Sequence, residues 1–307
     1  MIENCIGKSG RVLQGLDELL MKGAKQCLHQ IGVWAYLGSD RRPWRFGYED
    51  YRTLYLEKVI KNSGLLETFR TSKPLPAGHG FRLDARAVEI PWVLARVAQG
   101  RGRLLDAGSS LNRDFVLEAP SLSSKKITIV TLAPEAVCYW KLGISYIFGD
   151  LRSLDFRDEW FDMIVCISTI EHVGMDNSMY TGRKESLSAS STEEFLIAVK
   201  ELRRVLKREG ILYITFPFGQ YEDHGWFQQF DSQLTDNLIE EFRPSNLNET
   251  VFRYDPDGWK LSERASCIHA EYFDVQRSKY FDPNSSVEYP PDFPAGERAV
   301  MCLELCK

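Results

Sequence analysis

The sequence predicts an α/β fold with a central, mostly parallel sheet flanked by helices, preceded by a helical N-terminal region. Three observations support this class. From about residue 103, short apolar runs alternate with helical patterns, as in chains built from βαβ units. The run Phe161–Ser168 is almost entirely apolar, as expected for a strand covered on both faces. An earlier apolar run ends in Asp106 and a turn of small residues, which is typical of a nucleotide-binding loop.

The N-terminal third of the chain has a helical pattern. Leucines recur at helix-like spacing over residues 11–37, and a second amphipathic helix is expected over 48–69. A third helix is expected over 84–99. We therefore expect a helical region over residues 1–83, followed by a second domain over 84–307.

The second domain carries the strand pattern. Strands are expected at 103–106, 126–131, 145–149, 161–168, 211–216 and 300–306. An amphipathic helix is expected over 192–207, capped by Ser191 or Thr192 and ended by Gly210. Residues 217–262 form an aromatic-rich insertion, which is either a lid or substrate wall, or a packed excursion without a ligand role.

Composition limits the classes of function. The net charge of −5 over 307 residues argues against a nucleic-acid binder. No apolar run is long enough to span a membrane, and the first residues lack the pattern of a signal peptide. The seven cysteines include no C-x-x-C pair, which favours reduced thiols in a cytoplasmic protein. The oligomeric state is left open.

Three motifs follow one another along the second domain. Residues 106–112 combine an acidic residue with a turn of small residues. Residues 149–156 begin with Gly-Asp after the third expected strand, and the apolar strand from residue 161 leads into Glu171 and His172. These motifs would lie together, because the carboxyl ends of parallel strands meet at one edge of the sheet.

In this order, the motifs and the helix and strand after them resemble the class I S-adenosylmethionine-dependent methyltransferases over roughly residues 100–216. The resemblance implies a Rossmann-like fold with a seven-stranded, mostly parallel sheet, and S-adenosylmethionine as the cofactor. It implies that the cofactor-binding residues are Asp106, Gly108, Ser109, Ser110, Asn112, Thr131, Leu132, Asp150, Leu151 and Ser168.

The sequence departs from the family at two places. Ser110 and Asn112 stand where the loop usually has its second and third glycines, and Thr131 stands where an acidic residue usually binds the ribose hydroxyls. Glu135 lies close enough to replace that acid. The alternative hypothesis is therefore a non-catalytic, methyltransferase-like binding or scaffolding protein. A dinucleotide site is disfavoured, because Gly108 is the one glycine in the turn.

Methyl transfer to a hydroxyl requires an aligned nucleophile and a base that removes its proton. His172 is the first candidate, with Glu171 as the alternative base and a purely loop-supporting histidine as the other interpretation. His224 is the second candidate, although a surface loop histidine is also consistent with its position. A metal site that includes Asp176 is not expected.

An arginine-rich segment bears on the acceptor, since arginine binds phosphate or carboxylate bidentately. Its members are Arg41, Arg42, Arg45, Arg82 and Arg86, beside Trp44 and Phe81. The overall layout also resembles bacterial methyltransferases associated with surface-glycan synthesis. We expect O-methylation of a small molecule, such as a sugar or nucleotide-linked sugar; structural arginine–aspartate pairs are the alternative interpretation of the arginines.

Overall fold

This computed structural model describes residues 27–182 and 193–307. Its main element is a central β-sheet. The strands are β1 (Arg103–Ala107), β2 (Lys126–Thr131), β3 (Ser145–Phe148), β4 (Phe161–Ile167), β5 (Leu206–Pro217), β6 (Glu222–Asp223), β7 (Gln228–Gln229), β8 (Asn246–Asp255), β9 (Gly258–Ser262) and β10 (Ala299–Cys306). The helices are α1 (27–38), α2 (Tyr48–Lys61), α3 (Ser63–Arg70), α4 (Arg86–Arg96), α5 (Asp114–Leu117), α6 (Ser178–Thr181), α7 (Phe195–Val205), α8 (Ser232–Phe242) and α9 (Arg264–Cys267).

The main sheet has the strand order β3-β2-β1-β4-β5-β10-β8-β9 in the described part of the chain, and β6 pairs with β7 in a separate hairpin. Strands β1 to β5 pair in parallel, whereas β10 runs antiparallel to both β5 and β8. The predicted α/β class with a mostly parallel sheet is confirmed. The sheet has eight strands rather than seven, because β8 and β9 form a hairpin that extends its antiparallel end.

Helices cover both faces of the parallel strands. Side chains alternate between the faces along β5. Leu212 and Ile214 lie in the buried cluster that includes α7, whereas Tyr213 contacts α4, with its ring centroid 6.1 Å from that of Trp92. The Tyr213 hydroxyl also donates to the Arg96 carbonyl at 3.0 Å. Each large apolar side chain buried in these layers contributes roughly 1.5–3 kcal/mol.

Two helix predictions need correction. The single helix expected over 48–69 is divided into α2 and α3, because the Asn62 side chain accepts a hydrogen bond from the Leu65 N–H at 3.0 Å and caps α3. The helix expected over 192–207 ends at Val205, and Gly210 lies within β5 instead of ending a helix.

The early start of β5 explains the second error. Phe161 pairs with Leu206 but Met163 pairs with Ile211, so the register shifts between them and several polar residues of β5 bulge out of the ladder. Polar residues in a bulge give no strand pattern, which is why the sequence suggested a later start. The cap residues Ser191 and Thr192, and residues 11–26 of the first expected helix, lie outside the described residues.

The aromatic-rich stretch contributes elements of the main sheet. Phe230, Phe242 and Trp259 are all buried, and the Trp259 indole donates to the Leu83 carbonyl at 2.9 Å. These three residues therefore have packing roles.

By internal contacts, the chain divides into a unit ending at Tyr55 and a unit beginning at Leu56. In the first unit, the Tyr36 ring packs against those of Tyr48 and Tyr51, with centroids 5.7 and 5.1 Å away. The second unit contains the sheet. A domain boundary at residue 83 stays a prediction. Among the described residues, no helix combines the length and apolar character needed to cross a bilayer.

Candidate active site

A cavity of about 500 Å³ opens at the carboxyl ends of the parallel strands. Strand β1 lies between β2 and β4, so the chain order reverses there, and such a reversal is where ligands bind in open α/β sheets. The volume suits a small molecule. The structure brings together these predicted residues in the cavity wall: Gly108, Ser110, Thr131, Leu132, Asp150, Leu151, Ser168 and His172.

The turn after β1 requires glycine at its first position. Gly108 has φ of 110°, and its N–H donates to the Val130 carbonyl at 2.8 Å. A Cβ atom at this position would lie 2.0 Å from the Thr169 hydroxyl oxygen, on the turn that follows β4. No side chain fits there, so the backbone of β1 and the turn after β4 can approach closely across the cavity floor.

Ser110 and Asn112, which stand where the family has its second and third glycines, adopt backbone conformations that do not require glycine. The residues of this turn with positive φ are Gly108 and Ser109, at 110° and 68°, and neither Ser110 nor Asn112 is among them. The Ser110 hydroxyl donates to the Ile167 carbonyl at 2.7 Å and so ties the turn to β4. The departures from the family pattern therefore leave the turn intact.

Asn112 lies away from the cavity wall. Its side-chain oxygen accepts from the Tyr146 hydroxyl at 2.7 Å, and its amide donates to the Val137 carbonyl at 3.0 Å. This side chain fastens the turn to β3 and to the segment before it. Its cofactor role, like that of Ser109, stays a prediction.

Asp106 supports the turn from inside the protein. It is fully buried, and one carboxylate oxygen accepts from the Leu111 N–H at 2.9 Å. The other oxygen has no hydrogen-bond partner among the described residues. Burial raises the pKa of this carboxyl to about 7, although N–H groups of Leu111 and Ser110 partly offset the rise.

This shift predicts how Asp106 affects stability. The folded protein holds a proton on Asp106 between pH 3.8 and about 7, where the unfolded chain does not, so its contribution to stability falls as pH rises through that range. Asp106→Asn removes the titration and keeps an acceptor for Leu111. Between about pH 4 and pH 8, the unfolding free energy of the variant should gain about 4 kcal/mol relative to the wild type. Urea denaturation of both proteins across this pH range measures the difference. A difference in unfolding free energy that does not change with pH would contradict the prediction.

Asp150 is already paired. The Nε atom of Arg152 donates to both of its carboxylate oxygens, at 3.0 and 2.9 Å, and Arg152 also pairs with Glu194. Burial alone would raise the pKa of Asp150, but the hydrogen bonds and charge of Arg152 outweigh it and lower that pKa. Leu132 and Leu151 also line the cavity, as do Thr131 and Glu135.

His172 lies on the short 3₁₀ turn after β4, in the cavity wall. Its Nδ1 lies 2.9 Å from the Trp226 carbonyl oxygen, and a carbonyl can only accept, so Nδ1 carries the hydrogen. The Trp226 and Tyr180 rings pack beside the imidazole, at 5.2 and 5.6 Å between centroids. Burial lowers the His172 pKa to about 4, so at neutral pH the ring is uncharged and Nε2 presents a lone pair.

The two other candidate bases have different surroundings. The Glu171 carboxyl oxygen lies 3.9 Å from the His172 Nε2 atom, and burial raises the Glu171 pKa well above its ordinary value. His224 does not line the cavity; it stacks on the Phe227 ring at 4.4 Å and lies 3.5 Å from the Glu222 carboxylate. The structure thus places Glu171 beside His172 and leaves His224 outside the cavity wall.

Sequence reasoning missed one residue behind the cavity. Glu89 lies on α4 within the buried run Ala87–Leu94 and is itself fully buried. A single carboxylate inside an apolar helix face was the available signal. Glu89 pairs with Arg86, which lines the cavity. Of the other arginines expected to bind the acceptor, Arg41, Arg42 and Arg45 belong to the first unit. No cluster of three side chains suited to hold a metal ion occurs within residues 27–182 and 193–307.

Comparison with known families agrees with this geometry. Residues 105–214, from β1 into β5, match the family model described as a methyltransferase domain. The match covers 110 of the 307 residues, so the part of the chain that carries the parallel strands resembles a methyltransferase domain. No curated protein gives a match to the chain.

Similar solved structures carry methyltransferase names. An S-adenosylmethionine-dependent methyltransferase from Thermotoga maritima is 15% identical, with 82% of this chain and 99% of that chain covered and a TM-score of 0.42. The 1,6-didemethyltoxoflavin-N1-methyltransferase of Burkholderia thailandensis, solved with S-adenosylhomocysteine, is 12% identical, with 84% and 89% covered and a TM-score of 0.42. One from Methanosarcina mazei is 15% identical, with 69% and 96% covered and a TM-score of 0.39.

Proposed function

We propose that this chain is an S-adenosylmethionine-dependent methyltransferase that transfers the methyl group to a hydroxyl oxygen of a small polyol, such as a sugar or nucleotide-linked sugar, with His172 as the general base. The observation that carries the proposal is the hydrogen bond from Nδ1 of His172 to the Trp226 carbonyl. This bond fixes the tautomer and leaves the Nε2 lone pair on a residue that lines the cavity.

The chain's residues fit the cofactor at the other end of the cavity. Gly108 lines the cavity, and its missing Cβ lets the turn after β1 keep its close approach to Thr169, so the Gly108 backbone is available to the amino-acid part of the ligand. Leu132 and Leu151 provide apolar surface for the adenine ring, and Glu135 provides a carboxylate for the ribose hydroxyls. When bound, the cofactor supplies a methyl group on a positively charged sulfur.

The surroundings of Glu171 favour His172 as the base. A buried carboxyl whose pKa is raised well above its ordinary value keeps its proton at neutral pH, and a protonated carboxyl cannot take a proton from the acceptor. His172 is uncharged at the same pH. We assign Glu171 a supporting position beside the ring.

The non-catalytic alternative rested on Ser110 and Asn112, which replace glycines, and on Thr131, which replaces the ribose-binding acid. Ser110 and Asn112 hold the turn through their own hydrogen bonds, which removes the first reason to expect a weak cofactor site. Thr131 lines the cavity together with Glu135, whose carboxylate we propose takes the place of the missing acid.

A transfer assay tests the proposed function. The full chain is incubated with S-adenosylmethionine and a panel of monosaccharides, nucleotide-linked sugars and primary amines, and products are identified by mass spectrometry. We expect an O-methylated sugar and an equal amount of S-adenosylhomocysteine. Methylation of amines alone would contradict hydroxyl transfer, and absence of any methylated product from a protein that binds the cofactor would contradict sugar methylation.

A further inference from the structure

The buried carboxylate of Glu89 joins three elements behind the cavity. One oxygen accepts from the Ser168 hydroxyl and from the Thr215 hydroxyl, both at 2.6 Å. The other oxygen accepts from an Nη atom of Arg86 at 2.5 Å. Helix α4 is thereby tied to the residue after β4 and to β5. A fully buried carboxylate is tolerated where charge-assisted hydrogen bonds and a cation replace its water.

These bonds determine which hydrogen-bonding atoms face the cavity. Ser168 and Arg86 both line it, whereas Thr215 is fully buried and does not. A hydroxyl has one hydrogen, and that of Ser168 is committed to Glu89, so its oxygen can only accept from a ligand. The Arg86 guanidinium has five N–H donors and no acceptor, and about a quarter of its side chain is exposed.

We propose that Arg86 and Ser168 form a subsite for a second hydroxyl of the acceptor, next to the hydroxyl that faces His172, and that Glu89 is its positioning residue. This assigns Ser168 to the acceptor instead of the cofactor-binding role that the family resemblance implied. The second hydroxyl accepts from Arg86 and donates to Ser168. This inference rests on the proposed hydroxyl transfer and narrows the acceptor to molecules with two neighbouring hydroxyls.

The same arrangement disfavours an anionic group at this subsite. A carboxylate or phosphate would accept from Arg86, but its lone pairs would face those of Ser168, and Glu89 already neutralises the guanidinium. Hydrogen-bond donors select for the correct partner because a mismatched pair leaves buried polar atoms unsatisfied.

Three matched probes test the subsite on the full chain saturated with S-adenosylhomocysteine. Phenol has one hydroxyl, catechol adds a neighbouring hydroxyl, and salicylate adds a neighbouring carboxylate. Ligand-observed NMR titration gives the three affinities. We expect catechol to bind about fivefold more tightly than phenol, the gain of one net hydrogen bond, and salicylate to show no such gain.

Two matched variants separate the subsite from general packing. Ser168→Ala and Thr215→Val each remove one hydroxyl donor from the same Glu89 oxygen, but Ser168 alone lines the cavity. Ser168→Ala and Glu89→Gln should each lower the preference for catechol over phenol, and Thr215→Val should retain it. If Glu89→Gln does not fold, the comparison of Ser168→Ala with Thr215→Val alone tests the subsite.

The outcomes distinguish the subsite from the proposed function. Equal affinities for catechol and phenol in the wild type, or an equal loss of preference in Thr215→Val, would overturn the subsite alone. Absence of O-methylated product in the transfer assay would overturn the proposed function even if the catechol preference were observed.

Discussion

Replacing Gly108 with alanine is expected to weaken S-adenosylhomocysteine binding by at least about 100-fold, a loss of roughly 2.7 kcal/mol. The added Cβ would lie 2.0 Å from Oγ1 and 2.4 Å from Cγ2 of Thr169, and the position has φ of 110°. The turn must therefore move away from the turn after β4, and the cavity floor changes shape. Overpacking and the left-handed backbone together should also lower the free energy of unfolding by about 2–5 kcal/mol.

Gly102→Ala is the matched control for Gly108→Ala, because Gly102 comes just before β1 and Gly108 just after it. A Cβ at Gly102 would meet the Asp162 carboxylate at 3.5 Å, which is ordinary contact. This variant should bind S-adenosylhomocysteine like the wild type and change stability by less than about 1 kcal/mol. Isothermal titration and urea denaturation measure both effects. Equal affinity in Gly108→Ala and Gly102→Ala would show that the cofactor does not use the turn after β1.

Replacing His172 with asparagine should lower kcat for the acceptor found in the transfer assay by about 10²–10⁴-fold, with little change in S-adenosylhomocysteine affinity. Asparagine keeps an N–H close to the position of Nδ1, which donates to the Trp226 carbonyl, but it removes the Nε2 lone pair. The wild-type rate should not fall through protonation of His172 until the pH approaches about 4, because the imidazole is neutral above its pKa.

His224→Asn provides the comparison for this variant. Desolvation lowers the pKa of both histidines, but His224 lies outside the cavity wall. We expect His224→Asn to retain most of the wild-type kcat. A large loss of kcat in His224→Asn with a normal rate in His172→Asn would assign the base to His224 instead.

The strands were predictable because their signals are local. Strand β2 has the predicted bounds of 126–131, and β4 differs by one residue from its apolar run. The start of β5 was not predictable, since bulged polar residues carry no strand periodicity. The division between α2 and α3 depends on one side-chain hydrogen bond from Asn62, which the apolar pattern does not reveal.

The candidate site was predictable where motifs mark strand ends, and not where distant elements meet. Gly108, Asp150 and His172 each follow a strand, and all three line the cavity. Glu89 lies 79 residues from Ser168 and 126 from Thr215, so only the packing of α4 on the sheet brings them together. The pairing of Asp150 with Arg152 also depends on side-chain geometry that spacing does not specify.

A crystal structure of the full chain with S-adenosylhomocysteine tests most directly whether this cavity is the methyl-transfer site. We predict that the ligand lies over Gly108, with its adenine between Leu132 and Leu151. Its sulfur should lie within about 8 Å of Nε2 of His172, a span that the transferred methyl group and one acceptor oxygen can fill. A ligand bound elsewhere, or a sulfur well beyond that distance from His172, would contradict this assignment.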